Sequence, residues 1–395
     1  MDSTRIPEAL LKARTEVWFA PGRANLMGEH TDYNEGFVLP FALAQGVTAI
    51  VSARDDDLLV LRSKQVPDTP LTAPVDSLAP GAVAGWAAYP AGVAWALRAA
   101  GHAVRGASID VDSDLPVGAG VSSSAALECS VALALCSLSG VTVPRRELAA
   151  IARRAENEFV GAPTGIIDQS AALLCRRGHA LLLDCGTLAT AQVPFRPAAA
   201  GVSAIVIDTR VTHALVSGEY AARRAECEAA ARLLGVPALG AVTDPRALDK
   251  LDDPLLRRRA RHVITDSARA REIAAALQGP DGTGTGATKR ETYAFIGESL
   301  LDGHASLRDD FEVSWPEADA AVETAIAAGA YGAKMIGGGF GGSVLALVPA
   351  GDTGAVRAAV TETFTERGWT PPEFLDAVPS PPARRLSQES YGYYM

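Results

Sequence analysis

The sequence predicts a two-domain protein that mixes strands and helices, and three observations carry that reading. Its 395 residues exceed what one hydrophobic core ordinarily serves. Strand-like runs and amphipathic helical runs interleave along the chain. A proline- and alanine-rich stretch near 190–201 offers a division, which places the domains at 1–197 and 198–395. A cleft between two such domains is a natural place for a ligand site.

The elements follow in order. The first residues, MDSTRIPEALLKARTEVWFAPGR, read as a short helix leading into a strand at Val17–Ala20, and lack the basic start and apolar run of a secretory signal. A turn-rich charged segment, PGRANLMGEHTDYNEG, separates that strand from FVLPFALAQGVTAIVSA, again of strand character. Residues 66–85, rich in Pro, Gly, Ala and Thr, read as a surface connection. The apolar run Ala82–Leu97 contains Pro90 and is too short to span a bilayer, so it is expected to be a core helix broken or started near the proline. Ile109–Asp112 reads as a strand end. Helices are predicted at Ser122–Leu138, closed by Gly140, and at Arg145–Phe159, where Leu148, Ile151, Ala152, Ala155 and Phe159 share a face. Beyond them come strands at Ala180–Asp184 and Ala204–Asp208, a helix at Glu219–Leu234, and a glycine-rich segment, 279–290, expected to be a flexible loop. That loop and the tyrosine-rich tail read as solvated.

Acidic residues outnumber basic ones, 46 to 36, for a net charge of -10. Such a chain has no general field for nucleic acid or an anionic membrane, so any anion must be held locally. Five cysteines, odd in number and without a CxxC pair, read as reduced core residues of a cytoplasmic protein.

Local anion binding has a candidate in Asp114–Ser124, DLPVGAGVSSS, where two glycines and three serines stand directly before a helix. Backbone N–H groups can approach phosphate oxygens there, aided by the helix dipole, and Ser124 could offer its hydroxyl to Mg2+. The segment is not a Walker loop, because no lysine follows, and the plainer reading is a turn before a serine-capped helix. A second flank is offered by AKMIGGGFGGSVLALV, a strand, a loop with five glycines and a second strand, which suits close backbone approach or a tight hairpin.

The acidic constellation Arg23, Glu29, His30 and Asp32 lies among Gly22, Asn25, Gly28, Asn34 and Gly36, a set of short polar groups suited to a polyhydroxylated ligand. Solvated pairing with Arg23 is the alternative. Asp168, in GAPTGIIDQSAALL, opens an apolar helix, where it is either an ordinary first-turn aspartate or a site carboxylate with Arg23 as its partner. Glu156 lies beside the apolar stripe of its helix and is the better site candidate, with an ion pair to Arg153 as the alternative; Glu158 pairs outward with Arg154.

Taken together, PGRANLMGEHTDYNEGFVLP, DLPVGAGVSSSAALECS and GAKMIGGGFGGSV resemble, in order, the three motifs of the GHMP small-molecule kinases, the first in its galactokinase-branch form. ENEFVGAPTGIIDQ, HALVSGEYAARRAECE, RARHVITDSARA and SLRDDFEVSWPEAD are similar to the same branch. The resemblance implies an α+β fold, with an N-terminal domain like ribosomal protein S5 domain 2, a ferredoxin-like C-terminal domain and the site between them. It implies ATP as co-substrate, Mg2+ as cofactor and D-galactose phosphorylated at its C1 hydroxyl, with no obligate protein partner. Related 1-kinases acting on N-acetylgalactosamine or arabinose, and a non-catalytic galactose and ATP sensor, are the alternatives.

By the same resemblance Asp168 is the catalytic carboxylate and Arg23 its partner and transition-state stabiliser. Glu29, His30, Thr31, Asp32, Gly165 and Tyr220 join Asp168 around the sugar. Gly118, Ala119, Gly120, Val121, Ser122, Ser123 and Ser124 cradle the phosphates, Ser124 and Glu156 hold Mg2+, and Trp86 and Ser63 lie by the base. Thr164 stands where many relatives carry cysteine and is expected, like the 279–290 loop, not to touch the assigned chemistry.

Overall fold

The computed structural model describes residues 15–116, 118–212, 217–280 and 282–387; the expected N-terminal helix and the tyrosine-rich tail lie outside them. The first half is built on two long antiparallel strands, β1 (Thr15–Asn25) and β3 (Pro40–Ala53), with the two-residue β2 (Phe37–Val38) between them. Next come β4 (Leu58–Ser63), β5 (Leu71–Pro74), α1 (Ala88–Ala99) and β6 (Ala107–Ser113). The segment 66–85, expected as a bare connection, therefore contains a strand, because Leu71–Pro74 finds a free edge on β4. Pro90 falls in the first turn of α1, where its missing N–H breaks no helical bond.

α2 (Ser123–Leu138) has no polar face and is buried on nearly all sides, against the strands and against α1, α3 (Arg145–Arg154) and α4 (Ile167–Leu174). The helix expected over 145–159 stops at Arg154 and continues as a π-helical turn, Ala155–Val160. Such turns are rare and recur at functional sites. β7 (His179–Asp184) and β8 (Thr190–Pro194) then join β2 in a small antiparallel sheet. The proline- and alanine-rich stretch is thus not structureless: its start pairs with β7, and Pro197–Ala200 forms a 3-10 turn.

The second half runs β9 (Val202–Asp208), α5 (Ser217–Leu234), α6 (Pro254–Gln278), α7 (Arg290–Asp309), α8 (Pro316–Ala327), β10 (Gly332–Ile336), β11 (Ser343–Pro349), α9 (Thr353–Glu366), β12 (Glu373–Asp376) and β13 (Arg384–Leu386). Its antiparallel sheet has the order β10-β11-β9-β12 with helices in both crossovers, the ferredoxin-like arrangement. β13 crosses back to the large sheet, whose order is β13-β1-β3-β6-β4-β5. The 279–290 segment is tighter than a free loop: Thr285–Thr288 forms a 3-10 turn in which Gly286 and Ala287 are buried.

Strand periodicity explains how the halves join. On β11, Leu345 and Leu347 face the core of the first half, while Val344, Ala346 and Val348 face the helices of the second. The second sheet is buried on both faces, so an apolar interface holds the two halves and leaves the polar loops at its edge to form a cavity. All five cysteines are buried and unpaired, as expected. Among the described residues no helix is long and apolar enough to cross a membrane.

Candidate functional site

Two backbone loops meet where β1 ends and α2 begins. The loop before α2 carries Gly118 and Gly120 at positive φ, and Ser122, the residue that caps the helix, is itself left-handed at φ 63°. A non-glycine residue in that region stores strain, which the surrounding contacts must hold. They do: Ser343 Oγ donates to Ala119 O (2.6 Å), Arg23 N donates to Val121 O (3.1 Å), and Arg23 Nη1 donates to Gly120 O (2.5 Å). Gly337, from the glycine-rich turn between β10 and β11, lies so near that a Cβ there would come within 3.2 Å of Gly120 O. The two glycine loops are therefore brought together, as expected. Ser122 Oγ is buried without a partner, a donor left over for an anion at the start of α2.

Beside the loop before α2 lies a cavity of about 170 Å³ lined by Arg23, Gly28, Glu29, His30, Asp32, Thr164, Gly165, Ile167, Asp168, Tyr220, Gly337 and Gly338. Arg23 Nε donates to Asp168 Oδ1 at 2.8 Å, so the partnership expected from sequence is formed. One guanidinium thus joins the cavity carboxylate to the glycine loop before α2. Asp32 presses against Gly165, where a Cβ would lie 1.7 Å from its Oδ2. Only glycine admits that approach. His30 donates from Nε2 to Gly338 O (3.2 Å), which leaves Nδ1 to accept from the Tyr33 hydroxyl (2.9 Å). Burial first, and then His262, push its pKa down to about 3, so it serves as a neutral donor and acceptor at ordinary pH. The Tyr220 ring stands 5.3 Å from that of His30. Thr31 faces away from the cavity, its hydroxyl spent on Gly28 O and Phe37 O, and so shapes the loop.

Burial, with Asp168 nearby, pushes the Asp32 carboxyl up to about 6. Because the folded protein holds that proton more tightly than the unfolded chain, stability is lost as pH rises from about 3.8 through about 6. Asp32→Asn is therefore expected to melt at higher temperature than the wild type near pH 7.5 without ligand, the gap narrowing as pH falls through 6. Equal melting temperatures at pH 7.5 in a thermal scan would contradict this.

The π turn points Glu156 inward, where Ser124 Oγ (3.0 Å), Thr164 Oγ1 (2.8 Å) and Gln169 Nε2 (2.8 Å) donate to it. It makes none of the outward pairing that Glu158 makes with Arg154. Burial, with Asp168 next, raises its pKa, a cost that a cation beside it would offset. The oxygens of Ser124 and Glu156 are of the kind that suits a small hard cation such as Mg2+. Among the described residues no cluster of three His, Cys, Asp or Glu is placed to hold a metal unaided. Thr164 corrects an expectation: it lines the cavity and bonds Glu156, because the π turn folds residues 157–164 back onto that carboxylate.

Ser63 ends β4 opposite Val111 on β6 and pairs with Gln65, whose amide reaches Asp112 and Ser113 O at the end of β6. Trp86 donates to Thr69 on the same side of the fold. Several residues around the site were missed by sequence reading. Gln169 bridges Glu156 to the buried Glu128, whose pKa burial and Glu156 raise well above the usual carboxylate range. Lys334 Nζ donates to Glu29 Oε1 at 3.0 Å, both groups buried. A lysine within an apolar strand was the available signal, since a buried charge requires a partner.

Residues 9–53 match the galactokinase galactose-binding signature, residues 88–176 the GHMP kinases N terminal domain and residues 287–366 the GHMP kinases C terminal family. The chain is 50% identical over 374 residues to a galactokinase of Streptomyces coelicolor, covering 94% of each chain. It is 44% identical over 359 residues to one of Mycobacterium tuberculosis, covering 89% of this chain and 95% of the other. A crystal structure of Lactococcus lactis galactokinase complexed with galactose superposes with a TM-score of 0.87 at 32% identity, over 94% of this chain and 95% of that one. A mevalonate kinase at 15% identity and a TM-score of 0.63 shares the fold. With matches to all three families and near-full-length identity of this order, the chain belongs to the galactokinase family of the GHMP kinases.

Proposed function

We propose that the protein transfers the γ-phosphoryl group of ATP to the C1 hydroxyl of α-D-galactose, giving α-D-galactose 1-phosphate and ADP. The observation that carries this reading is Arg23, which bonds Asp168 in the cavity and Gly120 O in the phosphate loop with one side chain. In this reading that side chain lies where the sugar hydroxyl meets the phosphate. Glu29, His30, Asp32, Gly165 and Tyr220 surround the sugar, with Thr31 holding the loop behind them. Residues 118–124 receive the phosphates, the base lies toward Trp86 and Ser63, and Ser124 and Glu156 would hold Mg2+.

Asp168 orients the C1 hydroxyl and accepts its proton as the sugar oxygen bonds the γ-phosphorus and the bond to the β,γ-bridging oxygen breaks. Arg23 and the loop amides stabilise the charge spread over the transferring group. Mg2+ held there would supply neutralisation of phosphate charge. Positioning provides much of the rest.

The test is ADP release by purified protein with Mg-ATP and galactose, beside glucose, N-acetylgalactosamine, arabinose and no sugar. Release with galactose well above the others is expected, abolished by a chelator and restored by Mg2+. Preference for another sugar would overturn the substrate, and galactose binding with no release from any sugar would make the protein a sensor.

A further inference from the structure

Glu29 is held from the second half of the chain at almost every polar atom. Its backbone N–H donates to Asp266 Oδ2 at 3.1 Å, an oxygen that also takes the Gly28 N–H at 2.9 Å. Its carbonyl accepts from His262 Nε2 at 3.0 Å. One carboxylate oxygen, Oε1, accepts from Lys334 Nζ, whose ammonium also donates to Met335 O at 3.1 Å. His262, Asp266 and Lys334 are wholly buried. His262 and Asp266 stand four apart on α6 and so share a face, and Lys334 comes from the middle of β10. Ser306 fixes the ring of His262 from the other side: since Nε2 donates to a carbonyl, Nδ1 accepts from the Ser306 hydroxyl at 3.0 Å.

Three buried polar side chains from two elements, more than 230 residues further along the chain, thus converge on one cavity residue. None of the three lines the cavity itself. With the backbone and Oε1 engaged, the second oxygen of Glu29 is the atom left for a ligand in the cavity that Glu29 lines.

We infer that Lys334, supported by His262 and Asp266, is a positioning residue for sugar recognition: it sets the Glu29 carboxylate against the sugar and does not act on phosphoryl transfer. The inference rests on the reading of Glu29 as a sugar ligand. Removing the ammonium leaves a carboxylate buried and unpaired, which must turn, take up a proton or draw in water, and any of these spoils its aim. Arginine, larger and forked, keeps the charge but not the single short contact in a packed strand.

The test is a double-mutant cycle on the full chain with Glu29→Gln, Lys334→Met and both together, read as KM for galactose, KM for ATP, kcat and calorimetric galactose affinity without nucleotide. Lys334→Met is expected to raise the galactose KM and weaken galactose binding at least about tenfold, with the ATP KM within about twofold, and Lys334→Arg to recover part of the loss. In the Glu29→Gln background the lysine change should add less than about threefold, because residues acting through one another are not additive. A purely structural role would lower melting temperature and move both KM values together.

If Lys334→Met alone does not fold, the double variant, with no buried charge left unpaired, carries the test. A galactose KM matching that of Glu29→Gln supports the inference, and a further rise above threefold overturns it. A Lys334→Met enzyme with unchanged galactose KM overturns it too, while Glu29→Gln remains impaired. An unimpaired Glu29→Gln is a different outcome, which removes the sugar-ligand reading and this inference with it.

Discussion

Asp168→Asn is expected to keep the fold and lower kcat by about 10²- to 10⁴-fold, the range a positioned proton acceptor contributes. The substitution is nearly isosteric. Asp168 sits in the first turn of α4 with its carboxylate at the cavity, and its Oδ1 is occupied by Arg23. An amide oxygen can still accept that hydrogen bond, so the loss falls on proton acceptance and on charge, and packing is spared. Circular dichroism and melting temperature should therefore stay close to wild type while turnover collapses. Galactose affinity, measured by calorimetry, should change far less than kcat, since the cavity's other polar groups are untouched. Wild-type-like turnover in this variant would remove the proton-acceptor role.

Arg23→Met comes next in expected size, with kcat down by about 10³-fold, as found when a preorganised donor to a transition state is removed. Two losses combine. The loop before α2 loses the side-chain tie to Gly120 O, and Asp168 loses its partner while remaining largely shielded from water. Breaking a pair of that kind costs on the order of 3 kcal/mol, so the melting temperature should fall as well. Arg23→Lys separates the contributions. A single ammonium restores charge but cannot reach two acceptors with the geometry of a fork, so its kcat should lie between those of wild type and Arg23→Met. If Arg23→Met stays within tenfold of wild type once corrected for folded fraction, the arginine is structural and the phosphoryl-transfer role goes elsewhere.

Much of the fold and half of the site could be read along the chain because their signals are short-range. The glycine-and-serine run before α2 announces a loop that bares its amides and ends in a helix, since glycine geometry and the orphan N–H groups of a helix start are local properties. Asp168 at the head of an apolar helix, the Arg23–Asp32 cluster of polar groups and the inward lean of Glu156 were legible for the same reason. Where a segment depended on a distant partner, local reading failed. Leu71–Pro74 and Thr190–Pro194 look like connections and become strands only because β4 and β7 offer them an edge. The π turn of Ala155–Val160 is invisible in a helical stripe of apolar residues, yet it brings Thr164 onto Glu156.

The sequence by itself determined the family, the two glycine loops and the candidate carboxylates, all carried by contiguous motifs. Only the tertiary structure decided what holds them: Arg23 reaching both Asp168 and Gly120 O, Gln169 between two buried glutamates, and Lys334, His262 and Asp266 closing on Glu29. The physical reason is that a buried polar group must find its partner wherever the packed chain delivers one, and sequence spacing does not limit that choice.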